Sequence, residues 1–256
     1  MRGLARAFTE DASSDCFVAR LSGYTELTAI DLGSLRALIE AELTVKKRRD
    51  LVIDGYEYRK LCFVQDGFAA RYKVLRNGKR QIINVVVPGD VIGMPGSFLD
   101  RANYSVIAVT DMKLQVCPLD SFVALCYRIP KFGLALSWLA MHEAVTYAEH
   151  VIDIGRRTPI ERLARFLLEL HSRLAMVGRA EPSGFDLPFS QEVVSDVLGL
   201  SAPHLNRMFS RLRADRMIAT RDRHVEFLDR KSLESLAHFQ DVKLSRIPAR
   251  APGHGG

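Results

Sequence analysis

PFSQEVVSDVLGLSAPHLNRMFSRLRADRMI, residues 188–218, decides how the rest of the chain is read. Ser190 stands where a helix N-cap is wanted, with Val194, Val197 and Leu198 behind it at helical spacing. Gly199 supplies the left-handed residue that a tight connection between helices needs. Leu200 points inward, and Ser201 is expected to cap a second helix whose first turn tolerates Pro203, since amides there lack partners anyway. Leu205, Met208 and Leu212 form the inner side of that helix, and the small Ser195 sits where the two helices come closest. His204, Asn206, Arg207, Ser210 and Arg211 are left for the outer side. Two short helices joined this way form a helix-turn-helix, whose second helix enters the DNA major groove. An ordinary helical hairpin is the plain alternative, but it does not require caps, glycine and apolar positions to fall in one register.

The flanking sequence extends the unit. TPIERLARFLLELHSRLAMVG, residues 158–178, reads as a helix, and GRAEPSGFDLPF after it as a loop. MIATRDRHVEFLD alternates as a β-hairpin with a charged turn at Arg221-Asp222-Arg223, and KSLESLAHF closes with a helix. Helix, helix-turn-helix and hairpin in that order predict a winged helix over residues 156–240. Within it Arg207 is the candidate base reader, with His204 and Asn206 beside it. Ser190, Gln191, Ser201, Arg211, Arg221 and Arg223 are candidates for phosphate contact, which gives affinity rather than sequence preference. The charge distribution agrees. Residues 156–256 hold 17 Lys and Arg against 12 Asp and Glu, so +5 of the net +6 lies there.

Ahead of this domain, residues 130–155 read as one helix with Pro130 in its first turn. Leu134, Trp138, Met141, Val145, Ala148 and Ile152 follow a 4-3-4-3-4 spacing, an a/d seam that predicts a homodimer. A helix packed on its own domain needs a similar stripe, but a helix-turn-helix commonly reads paired half-sites. Residues 21–128 alternate short β-rich runs with turn signals, including Asn77-Gly78, and glycines at 55, 67, 78 and 89 recur at gaps of 12, 11 and 11. SVIAV and KLQVCPL add strands, and residues 32–38 a short helix. The predicted fold is α+β: a loose extension over 1–20, an antiparallel β-roll or jelly roll over 21–128, a dimerisation helix over 129–155, the winged helix over 156–240 and a disordered tail over 241–256.

Cys16, Cys62, Cys117 and Cys126 show no CxxC spacing, so buried free thiols are expected rather than a metal site or disulfides. No apolar run reaches the roughly 20 residues of a membrane span, and the N-terminus carries acids where a signal peptide has an apolar core. A cytoplasmic location is expected. Neither a nucleophile elbow nor a phosphate loop is present, and no enzymatic activity is expected.

β-roll, long helix and winged helix in this order resemble the Crp/Fnr family of bacterial transcription regulators, over roughly residues 21–240. The resemblance rests on Gly55, Gly67, Gly78, Pro88-Gly89-Asp90 and Gly93, on Ile160-Glu161-Arg162-Leu163-Ala164, and on residues 190–212. It implies a dimeric regulator that binds a double-stranded DNA operator, with RNA polymerase as a partner if it activates. Two departures follow from it. Members that bind cyclic nucleotides use a Gly-Glu pair and an Arg-Ser or Arg-Thr pair in the roll. Gly93-Met94 and Tyr104-Ser105 stand here, Arg101 is out of register, and cyclic AMP is not expected as the effector. Oxygen-sensing members carry an N-terminal cysteine cluster, where this chain has Cys16 alone, so an iron–sulfur cluster is not expected. Haem held by His142 or His150, and an effector-independent regulator controlled by its abundance, stand as alternatives. The recognition helix also departs: where many members have Arg-Glu and, five residues on, Arg, this chain has Ala202-Pro203 and Arg207.

Overall fold

The computed structural model describes residues 15–94 and 96–241. Two four-stranded antiparallel sheets make the N-terminal domain. One has the order β1 (Ala41–Val45), β8 (Met112–Pro118), β3 (Lys60–Asp66), β6 (Val91–Ile92). The other has the order β2 (Asp50–Val52), β7 (Ser105–Ala108), β4 (Ala69–Val74), β5 (Arg80–Val86). Val64, Ala69, Ile92, Val106, Met112 and Leu114 are buried together in one core of the roll. The spaced glycines serve its turns. Gly55, Gly67, Gly78, Gly89 and Gly93 all have positive φ, and a Cβ on Gly93 would come within 2.3 Å of the Lys60 carbonyl.

The first helix, α1 (Cys16–Ser22), corrects the expected loose extension. Asp15 caps it, and Phe17 stacks on Phe63 of β3 at 4.0 Å between ring centroids. The apolar run CFVARL, with Phe17 and Leu21 buried, is the signal that marks a packed helix. Residues 1–14 and the expected disordered tail beyond Asp241 lie outside the described residues. The short helix is α2 (Ala29–Arg36), closed by a capping box between Thr28 and Asp31. After the roll come α3 (Leu119–Arg128) and the long α4 (Pro130–Arg156). Phe132, Ala135 and Leu139 of α4 share a second core with Phe17, Leu61, Phe63 and Phe122.

The C-terminal domain begins with α5 (Pro159–Ala175), capped by Thr158 and Glu161. It stops short of the expected end at Gly178. The segment read as a plain loop contains β9 (Gly184–Asp186), which pairs with β11 (His224–Phe227), itself paired with β10 (Ile218–Arg221). Three residues between turn signals are too few to show a period, so β9 carries no alternation to read. Between strand and wing lie α6 (Gln191–Leu198) and α7 (Ala202–Ala214), and α8 (Arg230–Leu236) closes the domain. The winged helix shares its core with the roll, since Ile82, Val85 and Val87 pack with Leu163, Leu167, Val194 and Leu198. Among the described residues no single helix is long and apolar enough to cross a membrane.

Candidate nucleic-acid interface

The helix-turn-helix forms as its residues require. The Ser190 hydroxyl accepts from the Val193 amide, and Val194, Ser195, Val197 and Leu198 are buried. Gly199 takes φ 63°, ψ 37°, which turns the chain so that the Leu200 amide donates to the Ser195 carbonyl at 2.8 Å. Ser201 occupies the N-cap position of α7, but its hydroxyl makes no capping hydrogen bond, contrary to expectation. Pro203, the second residue of the helix, has no amide to offer it, which leaves the His204 amide as the one remaining capping donor, and that bond is not made. The inner side of α7 is Leu205, Phe209 and Leu212. Met208, expected there, is only half-buried, because Phe209 lies closer to the centre of the stripe and its ring fills the space toward the wing.

The outer side divides by the partners its side chains have. Arg211 lies 3.8 Å from Asp215, and Arg213 donates to the hydroxyls of Ser210 and Thr220 at 3.0 and 3.2 Å, tying α7 to the wing. Asn206 and Arg207 are exposed, and neither side chain has a hydrogen bond or ion pair among the described residues. His204 is half-buried on the flank beside Met208 rather than at the centre of the exposed face. Gln191, Asn206, Arg213, Arg223 and His224 line a groove of about 230 Å³ between helix and wing. At the wing tip Arg221 and Arg223 flank Asp222, which adopts φ 54°, and all three are exposed. Asn206 of α7 and Arg223 of the wing thus line the same groove, and exposed arginines are available on both elements.

The roll does not fit a cyclic nucleotide at the positions the resemblance points to. Met94 and Tyr104 are buried, and the Tyr104 hydroxyl donates to the Met94 carbonyl, so the two departures close on each other. Arg101 is turned away and donates to the Gly55 carbonyl. Arg71, 1% exposed, is the guanidinium that sequence reading missed. It pairs with Glu143 of α4 and donates to the Tyr147 hydroxyl and the Val91 carbonyl, both at 2.9 Å. A single Arg in AARYKV carries no sign of this, because its partner lies 72 residues away. His142 is buried against Tyr24. Burial, with Arg20 and Arg173 nearby, lowers its pKa to about 4. The cavity beside it measures about 30 Å³, room for a water molecule and not a porphyrin. Among the described residues no cluster of His, Cys, Asp or Glu suits a metal ion.

Charged side chains join the domains. Asp90 accepts from Arg173 of α5 at 2.5 Å and lies 3.5 Å from Arg20 of α1. Asp196 of α6 lies 3.2 Å from Arg80 of β5, and Gln81 donates to the Asp196 carbonyl at 2.9 Å.

Known families match both halves in this order: the cyclic nucleotide-binding domain over residues 42–128 and the Crp-like helix-turn-helix domain over residues 161–236. The transcriptional activatory protein AadR of Rhodopseudomonas palustris is 31% identical over 173 residues, 67% of this chain and 71% of that protein. The nitrogen fixation regulation protein FixK of Bradyrhizobium diazoefficiens is 28% identical over 232 residues, 88% of this chain and 93% of that protein. The structure of FixK2 from Bradyrhizobium japonicum superposes with a TM-score of 0.70 at 25% identity, over 77% of this chain and 96% of that one. The chain belongs to the Crp/Fnr family, and it is a DNA-binding transcription regulator of that type.

Proposed function

We propose that the protein works as a cytoplasmic homodimer joined along α4, that each α7 reads one half-site of an operator, and that cyclic AMP does not control it. The apolar stripe on α4 carries this reading. Leu134, Met141, Val145 and Ile152 are exposed in the single chain, Met141 to 58%, while the opposite face of α4 is buried in the roll. Trp138 is half-buried and Ala148 exposed on the same stripe. So many apolar side chains at seam spacing leave an unsatisfied surface that a second copy covers. If the regulator activates, RNA polymerase is its further partner.

Arg207 supplies the base contact and Arg211 a phosphate contact. Arg207→Ala is expected to cost about 1–3 kcal/mol on an operator selected from random DNA, and much less on scrambled DNA. Arg211→Ala is expected to weaken both alike and to lower the salt slope by about one unit. Titrations of both variants on both DNAs across a salt series check this. Equal losses for Arg207→Ala on the two DNAs would make Arg207 a phosphate contact instead.

Calorimetry with millimolar cyclic AMP is expected to show no saturable heat, because Met94 and Tyr104 replace the carboxylate and guanidinium that would hold it. Micromolar binding would contradict that. The effector-independent alternative draws support from Arg71, since the chain's own Glu143 and Tyr147 tie the roll to α4. In that case specific DNA binding needs no added ligand.

A further inference from the structure

Pro203, Asn206, Arg207 and Ser210 are spaced i, i+3, i+4 and i+7 along α7, and all four are exposed. They therefore share one face, directly opposite Leu205, Phe209 and Leu212. The N-terminal end of that face is apolar. Pro203 presents a pyrrolidine ring with no donor or acceptor, the methyl of Ala202 lies half-buried beside it, and no acidic side chain occurs in the first turn. Asn206 and Arg207, one turn further along, offer the polar contacts. Residues near the start of a recognition helix lie closest to the base edges. A ring without hydrogen-bonding groups there cannot accept from the cytosine amino group. It can only desolvate a neighbouring surface, and the one apolar group in the major groove is the C5-methyl of thymine.

We infer that Pro203 determines specificity by packing on a thymine methyl, so that each half-site carries a T·A pair next to the G·C pair read by Arg207. This rests on the DNA-reading role proposed for α7. The methyl contact is worth roughly fourfold in affinity, the equivalent of about 0.8 kcal/mol for one buried carbon.

The test begins with the full-length protein and an operator selected from random DNA. Each thymine of the half-site is replaced in turn by deoxyuridine, which removes the methyl and leaves base pairing intact. One position next to the guanine should weaken binding roughly fourfold. In Pro203→Ser that sensitivity should vanish, while affinity for scrambled DNA and the circular dichroism spectrum stay as in the parent. Pro203→Glu should move the selected base from thymine toward the strand orientation that offers a cytosine amino group. The inference is overturned if deoxyuridine is tolerated at every position, if the selected half-site has no T·A pair beside the guanine, or if the methyl sensitivity persists in Pro203→Ser. The last result would leave Pro203 as only a helix-starting residue. Loss of all sequence preference in the parent protein is a different outcome, which overturns the DNA-reading role of α7 and this inference with it.

Discussion

Replacing Met141 and Val145 together with Glu is expected to convert the protein to a monomer and to cut operator affinity by about 10²–10⁴-fold, the gain that linking two binding modules provides. Both residues lie on the exposed stripe of α4, so in the single chain the new carboxylates stand in water and leave folding intact. In a dimer the same carboxylates would be buried in an apolar seam, beside the partner's like charges and without counter-ions, which is prohibitively unfavourable. Ala140→Glu is the control, because position 140 is exposed away from the seam spacing. Sedimentation should show a monomer for the double variant and a dimer for the control. A double variant that remains dimeric would place the interface elsewhere.

Asp90→Ala is expected to destabilise the fold by about 3–5 kcal/mol, the usual cost of removing one partner from a buried ion pair. Asp90 is enclosed by Arg20, Arg173 and the Val87 amide, which donates to it at 2.9 Å. Glu169 stays with Arg173 at 3.3 Å in the variant, so the guanidinium left without a counter-charge is that of Arg20, which is 4% exposed. The pH dependence follows from the same geometry. Burial pushes the Asp90 carboxyl up, but Arg173, Arg20 and the Val87 amide outweigh it and hold the group below its ordinary value. A carboxyl held low in the folded state adds stability above its unfolded pKa, and that stability is lost as pH falls through the folded value. Urea titrations should therefore show the difference between parent and Asp90→Ala largest near neutrality and shrinking in acid. A constant difference down to strong acid would mean that Asp90 acts through packing and not through charge.

The parts of this molecule that could be read in the sequence are those whose physics is local. Ser190, Gly199 and the apolar spacing between them specify α6 and its turn within a dozen residues, and the spaced glycines mark turns of the roll because each requires a left-handed backbone. Local rules also erred. Ser201 has the residue type for capping but makes no capping bond, and Met208 and Phe209 both satisfy the helical period within one residue of each other. Helix α1 was missed because its polar neighbours dominated the reading, although Phe17 and Leu21 carry the packing. Long-range partners left no trace at all. Arg71 with Glu143, Asp90 with Arg173 and Arg80 with Asp196 are ordinary charged residues in sequence; the first pair forms only when α4 packs on the roll, and the other two only when the winged helix docks against it. Asn206 and Arg207 lie on the exposed side of α7, as the helical spacing predicts. His204 differed, because its flank is covered beside Met208.

Selection of bound sequences from a random DNA pool by the purified protein, without added nucleotide, tests the central claim most directly. A dimer that presents two copies of α7 should enrich an inverted repeat whose half-sites lie about one helical turn apart, each with a guanine for Arg207. Enrichment of a single asymmetric site, or of no sequence at all, would contradict it.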